Sequence, residues 1–269
     1  LILAVIFLGI VIDVILVSIK FAKRSFEIST YRLQTISWGM PDVAKVVILF
    51  LFFGYIVIII ESRLAMFFPL LKNDNFRMIL NSSVLDVLSV VFIIHFTVVR
   101  YKEDLISLGL SVKNFFKNVF YGITGYIATL PILVGILIII SVIINVTKYV
   151  PEKQHIVELF LKEENLTFLV YTSVFASIVG PFMEELFFRG FLYNAVKKNI
   201  GIFWATLFTS AVFACLHANI VGFLPIMVLG VTLAYLYEKT GTLVSSITVH
   251  IMHNLSMVFL VFLMKQIRI

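Results

Sequence analysis

The sequence predicts an all-α fold, a polytopic membrane helical bundle of about eight transmembrane helices, and three observations predict it. Hydrophobic residues fill 61% of the 269 positions and charged residues only 13%, against roughly 25% charged in a soluble domain. The mean hydropathy is +1.09. The apolar residues fall in runs of about 20, the length needed to cross a hydrocarbon core of about 30 Å, with polar or charged breaks between them. The single cysteine, Cys215, excludes an intrachain disulfide and a cysteine-based zinc site. The net charge of +6 reads as loop lysines and arginines, because no basic run interleaved with aromatics points to nucleic acid.

The elements follow in order. Residues 1–19 carry Asp13 and show neither a basic leader nor an Ala-x-Ala site, so they read as a first anchor rather than a cleavable signal. A polar loop with Lys20, Lys23, Arg24 and Arg32 leads to a second span over about 43–60. The piece 64–71 contains Pro69 and is too short to span. A third span covers about 83–99 and holds Asp86, with His95 near its end. Residues 100–118 place Arg100, Lys102, Lys113 and Lys117 among spaced Leu, Val and Phe, the pattern of an amphipathic surface helix. A fourth span, 119–146, precedes an acidic loop with Glu152, Glu158, Glu163 and Glu164. The fifth begins near Leu166 and continues to about Lys198, with Gly180-Pro181 as a kink or restart. Spans over 202–217, about 222–237 and 243–264 complete the set. Loops on one side hold 13 Lys and Arg and those on the other hold eight. That bias puts the richer side, with Lys197, Lys198 and Lys239, in the cytoplasm.

The chemistry concentrates in three stretches. Glu184 and Glu185, with Arg189 four residues on, follow 14 uncharged residues from Val170 to Met183. An ionisable group in a membrane segment costs about 2.5–3.5 kcal/mol on insertion scales, which makes it a functional-site hypothesis by default. Glu184 lies 15 residues before Asn199 and His217 lies 16 after Gly201. At the helical rise both sit roughly 23 Å from the intervening turn, on neighbouring antiparallel helices. Residues i and i+4 share a helix face. Arg189 can therefore pair with Glu185, which leaves Glu184 to face the bundle interior. His250 and Asn254 share a face of the last span, with His253 as an ambiguous third member. One carboxylate, three histidines and an asparagine in a dry cavity suit water activation. Glu184 would be the general base, His217 would hydrogen-bond the same water, and His250 and Asn254 would donate to an oxyanion. No His-Glu-x-x-His or Gly-x-Ser-x-Gly signature is present.

The order Glu184-Glu185-x-x-x-Arg189, Phe213-x-x-x-His217, His250-x-x-x-Asn254 resembles the CPBP family. That family comprises CAAX prenyl proteases of type II, Ras-converting-enzyme-like, and bacteriocin-processing or immunity membrane proteins. Gly190 and the turn from Tyr237 to Gly241 add to the likeness, which covers roughly 166–260. It implies a catalytic core over 166–269 and an N-terminal transmembrane scaffold over 1–165. It also implies an intramembrane endopeptidase of the cell membrane, with its active site open to the cytoplasm. Its substrate would be a prenylated CAAX tail or a peptide precursor. The first-motif glutamate role falls on Glu184, the histidine role on His217 and the oxyanion roles on His250 and Asn254, with Glu185 and Arg189 supporting. Family members are often labelled metalloproteases. A glutamate-dependent mechanism without cofactor is the expectation, and zinc on Glu184, His217 and His250, with His253 as a spare, is the alternative. Plainer readings stand beside these. The glutamates could be interfacial charges, Arg189 a snorkelling anchor, and Asp13, Asp86 and His95 members of helix-packing hydrogen bonds. A non-catalytic immunity or scaffold protein and a proton-coupled transporter are the rival functions.

Overall fold

A computed structural model describes residues 2–22, 36–151 and 155–267. Among the described residues there is no strand. The helices are α1 (Ile2–Ala22), α2 (Met40–Leu64), α3 (Asp74–Ile94), α4 (Phe115–Thr147) and α5 (His155–Lys162). They continue with α6 (Leu166–Val174), α7 (Gly180–Glu185), α8 (Asn194–Leu216), α9 (Ile220–Thr240) and α10 (Leu243–Ile267). A π-helical segment, His95–Arg100, extends α3. Two more, Phe175–Val179 and Leu186–Tyr193, join α6, α7 and α8.

Six helical stretches are long and apolar enough to cross a membrane, counting Leu166–Leu216 as one of 51 residues. That stretch is in fact two passes. Gly201 has φ 76° and ψ 172°, a conformation that glycine alone adopts readily. The rings of Phe188 and Phe213 lie 5.0 Å apart, whereas a continuous helix would separate them by roughly 37 Å. The chain therefore reverses at Gly201, and its two arms run antiparallel. With α1, whose apolar stretch Leu3–Leu16 is shorter, eight helices form the bundle.

Two sequence expectations need adjustment. No amphipathic helix forms over 100–118. The chain there is the end of the π-segment, a short 3₁₀ turn at Leu105–Leu108 and a loop up to the start of α4. Leu108 is fully buried in the protein interior, while Ile106, Val112 and Phe116 face outward. Gly109 O accepts from Leu243 N at 2.9 Å and Ser111 O from Thr242 Oγ1 at 2.8 Å. The third span starts earlier than hydropathy suggests, at Asp74, because Asn73 caps it by accepting from Phe76 N at 3.0 Å. The expected loop residues Lys23, Arg24, Arg32 and Glu152, and the side chain of Lys20, lie outside the described residues.

The main core sits at the end of the bundle that carries the 101–114 loop and the Gly201 turn. Trp38, Leu108, Phe191, Tyr193, Tyr237 and Leu243 are buried there together. Trp38 stacks on Phe191 with centroids 5.5 Å apart, and its Nε1 donates to Phe191 O at 3.1 Å. Several polar groups in this core are paired: Tyr193 OH and Lys197 Nζ both meet Glu238 Oε2, at 3.0 and 2.9 Å, and Asn194 Nδ2 donates to Tyr237 OH at 2.8 Å, while Asn194 Oδ1 has no partner among the described residues. Such satisfied networks hold helices in one register. Asp42, at the start of α2, accepts from Tyr101 OH at 2.6 Å and from Lys45 at 3.0 Å. That bond raises the Tyr101 phenol above its ordinary range. Outside this core the large apolar side chains face outward, as in Leu51, Phe52 and Tyr55 of α2, which suits lipid as solvent.

Candidate active site

Glu184 and Glu185 end α7, and the two neighbours meet opposite environments. Glu185 is fully buried. Its Oε1 receives Arg189 Nη1 at 2.6 Å, one helical turn on, and His250 Nδ1 at 2.9 Å from α10. Arg189 is 1% exposed and also donates to Gly230 O of α9 at 3.3 Å. Its guanidinium lies 4.6 Å from the centre of the Phe213 ring. One carboxylate thus ties three helical segments together. Glu184 keeps 35% of its side chain exposed, and its Oε2 has no hydrogen-bond partner among the described residues. The same oxygen lies 3.7 Å from His250 Nε2.

His217 caps the 202–216 arm. That arm is roughly 22 Å long at the helical rise, shorter than the roughly 30 Å hydrocarbon core. Its end therefore falls at membrane depth, where irregular backbone is tolerated only if buried or lining a cavity. Here the turn is closed by His217 N on Ala214 O, Ala218 N on Cys215 O, and Asn219 Oδ1 accepting from Gly222 N. His217 Nδ1 sits 2.7 Å from Phe213 O. A carbonyl can only accept, so Nδ1 carries the hydrogen, and Nε2 of the neutral ring is an acceptor. The same logic puts a hydrogen on His250 Nδ1, facing the Glu185 carboxylate. The Phe213 ring packs between the two imidazoles, with centroids 4.6 Å from His217 and 5.5 Å from His250.

A cavity of about 440 Å³ opens onto Glu184 and His217. Its wall is otherwise apolar, from Val46 and Phe50 of α2 to Met183 and Phe187 beside the glutamate, except for Asp86 and Ser89 of α3. The site is thus a carboxylate oxygen without a hydrogen bond and an imidazole acceptor, both lining one greasy recess. Both can accept from one water molecule.

Asn254 is placed differently. Its Nδ2 donates to Ala176 O at 2.8 Å. In the π-segment Gly180 N bonds Phe175 O, five residues back. The next carbonyl in that register, Ala176 O, faces Pro181, which has no N–H. Asn254 fills that vacancy from α10 and leaves one amide N–H for another partner. His253 packs edge-on to Tyr126 at 6.1 Å, and its Nδ1 has no partner among the described residues. Among the described residues no three His, Cys, Asp or Glu side chains form a metal-binding group. The set Glu184, His217 and His250 is not among such groups; His250 Nδ1 meets Glu185 at 2.9 Å and its Nε2 lies 3.7 Å from Glu184. Asp86 was set aside in the sequence as a packing residue, although an acid inside an apolar span was the signal that could have drawn it in.

Fold and site together define a polytopic membrane protein with a carboxylate–imidazole centre on an apolar recess. Residues 166–256 match the Rce1-like family model, described as type II CAAX prenyl endopeptidase Rce1-like. The chain is 35% identical over 81 residues to the putative membrane peptidase YdiL of Bacillus subtilis (strain 168), covering 30% of this chain and 33% of that protein. It is 37% identical over 87 residues to the membrane-embedded CAAX protease MroQ of Staphylococcus aureus (strain USA300), covering 30% and 35%. The match spans about a third of the length of these curated relatives. No solved structure matches the chain.

Proposed function

We propose that the protein is an intramembrane endopeptidase that hydrolyses a peptide bond near the cytoplasmic face of the cell membrane. Its substrate is a prenylated CAAX tail or a peptide precursor. The observation that carries this reading is the unpartnered Glu184 carboxylate oxygen beside His217 on the apolar cavity. Glu184 takes a proton from water while His217 Nε2 accepts its second hydrogen, and the hydroxide attacks the carbonyl carbon. His250, which lies between Glu184 and Glu185, donates from Nε2 to the oxyanion, and the second N–H of Asn254 is the other donor. One such donor is typically worth about 100- to 1000-fold in rate. Arg189 and Glu185 hold His250 in place.

The test is cleavage by purified wild type and Glu184→Gln, with and without a zinc chelator. The substrates are a farnesylated CAAX peptide and a panel of peptide precursors. Cleavage by wild type alone, indifferent to chelator, is the expected result. Chelator-sensitive activity restored by zinc would transfer the role of Glu184 to metal binding. No cleavage by a folded wild type would favour the non-catalytic immunity or scaffold role.

A further inference from the structure

Asp86 is an acid to which the reading above gives no role. It sits midway along α3, whose neighbours in sequence are Val84, Leu85, Val87 and Leu88. Helix-packing hydrogen bonds would explain it, but among the described residues it makes no hydrogen bond or ion pair. Instead it lines the same cavity as Glu184 and His217, and it feels the Glu184 carboxylate electrostatically. Besides Ser89, the rest of that wall is apolar. An unpartnered carboxyl in such a wall either holds its proton or meets a group the chain itself does not supply.

Resting on the protease reading, we propose that Asp86 is a further catalytic residue, the carboxyl that gives a proton to the departing amine. The two carboxyls of the cavity have different neighbours. Glu184 Oε2 lies 3.7 Å from the His250 imidazole and is placed to take a proton. Among the described residues no imidazole bonds or pairs with Asp86, which is placed to give one. The sequence balances. Glu184 removes a proton from water, and the oxygen bonds to the peptide carbon. The C–N bond breaks as the nitrogen takes the Asp86 proton, and the proton on Glu184 then returns through solvent to Asp86. The products are a carboxylic acid and an amine, and the enzyme is unchanged.

The leaving group provides the test, because a thiolate departs without a proton. A peptide substrate and the same sequence with a thioester at the scissile bond are compared with wild type, Asp86→Asn, Asp86→Glu and Glu184→Gln. Asp86→Asn is expected to lower kcat on the amide by about 100-fold, as for a general acid, with KM unchanged and thioester cleavage close to wild type. Asp86→Glu, which keeps a carboxyl, should recover part of the amide activity. Glu184→Gln should lose both substrates. Wild-type amide cleavage by Asp86→Asn, or equal loss on amide and thioester, overturns the proposal while leaving the protease reading intact. A folded wild type that cleaves neither substrate removes both.

Discussion

At the scale of single residues, Glu184 and Glu185 are adjacent in sequence and opposite in consequence. Glu184→Gln removes a charge that is about a third exposed and has no hydrogen bond at Oε2. Its unfolding free energy should stay within about 0.5 kcal/mol of wild type, while peptide cleavage is lost. Arg189→Met leaves Glu185 buried with only His250 for company. Breaking a buried pair by removing one partner costs about 3–5 kcal/mol. Thermal unfolding in detergent should show that loss for Arg189→Met and none for Glu184→Gln. Equal stability of the two variants would mean the ion pair does not hold the bundle. The i, i+4 spacing made the Glu185–Arg189 pair legible in the sequence, and with it the freedom of Glu184. The second partner of Glu185 was not legible. His250 is 65 residues away, and spacing gave only its depth, not the ring nitrogen that turns toward the carboxylate. Asp86 was visible as an acid in an apolar span, but whether it faced a neighbour or a cavity depends on how α3 packs, which no local pattern encodes.

At the scale of elements, the helix that carries Glu184 is shaped by Pro181. The Gly180-Pro181 pair marked a kink in the sequence, and the structure gives its form, a π-helical turn at Phe175–Val179 with one carbonyl left over. Asn254 supplies the missing donor to Ala176 O from α10. This contact couples the first and third motifs mechanically, whatever Asn254 does for an oxyanion. Pro181→Ala would restore the backbone N–H and let the helix satisfy Ala176 O itself. Asn254→Ala should therefore cost about 1–3 kcal/mol in the wild-type background, the penalty for an orphaned buried acceptor. In the Pro181→Ala background it should cost about 1 kcal/mol less. The double-mutant cycle measures that difference directly. Additive costs would show that Asn254 supports the fold through some other contact. The 101–114 stretch is the contrasting element. Its spaced Leu, Val and Phe read equally well as a surface helix or as plugs for a core. Only the docking of Leu108 and Gly109 against Tyr237 and Leu243 decides between them.

At the scale of the whole molecule, depth and orientation meet. From Leu166 to Glu184 is 18 residues, or roughly 27 Å of helix, which uses most of the roughly 30 Å hydrocarbon core. By the same rise Gly201 lies 17 residues, roughly 25 Å, beyond Glu184, so the site lies between the two ends of the bundle, and its orientation is read from the end that carries the 101–114 loop and the Gly201 turn. Among the described residues that end holds eight Lys and Arg outside the site, from Lys45 to Lys239, and the opposite end holds six, from Arg63 to Lys265. The excess is small because Lys20, Lys23, Arg24 and Arg32, which supply much of the sequence-level bias, lie outside the described residues or side chains. The core at this end adds weight: helices packed around Trp38 and Tyr237 with paired Lys197 and Glu238 suit an aqueous boundary. Orientation can be read with single cysteines in a Cys215→Ser background. Val112 is 79% exposed in the 101–114 loop, and Glu164 is exposed just before α6. A membrane-impermeant maleimide added to sealed inside-out vesicles should label Val112→Cys and spare Glu164→Cys, and right-side-out vesicles should give the reverse. Labelling of both from one side would contradict the alternation of helices. A reversed pattern would keep the fold but turn the cavity to the outside, so that any peptide substrate would have to be presented from there.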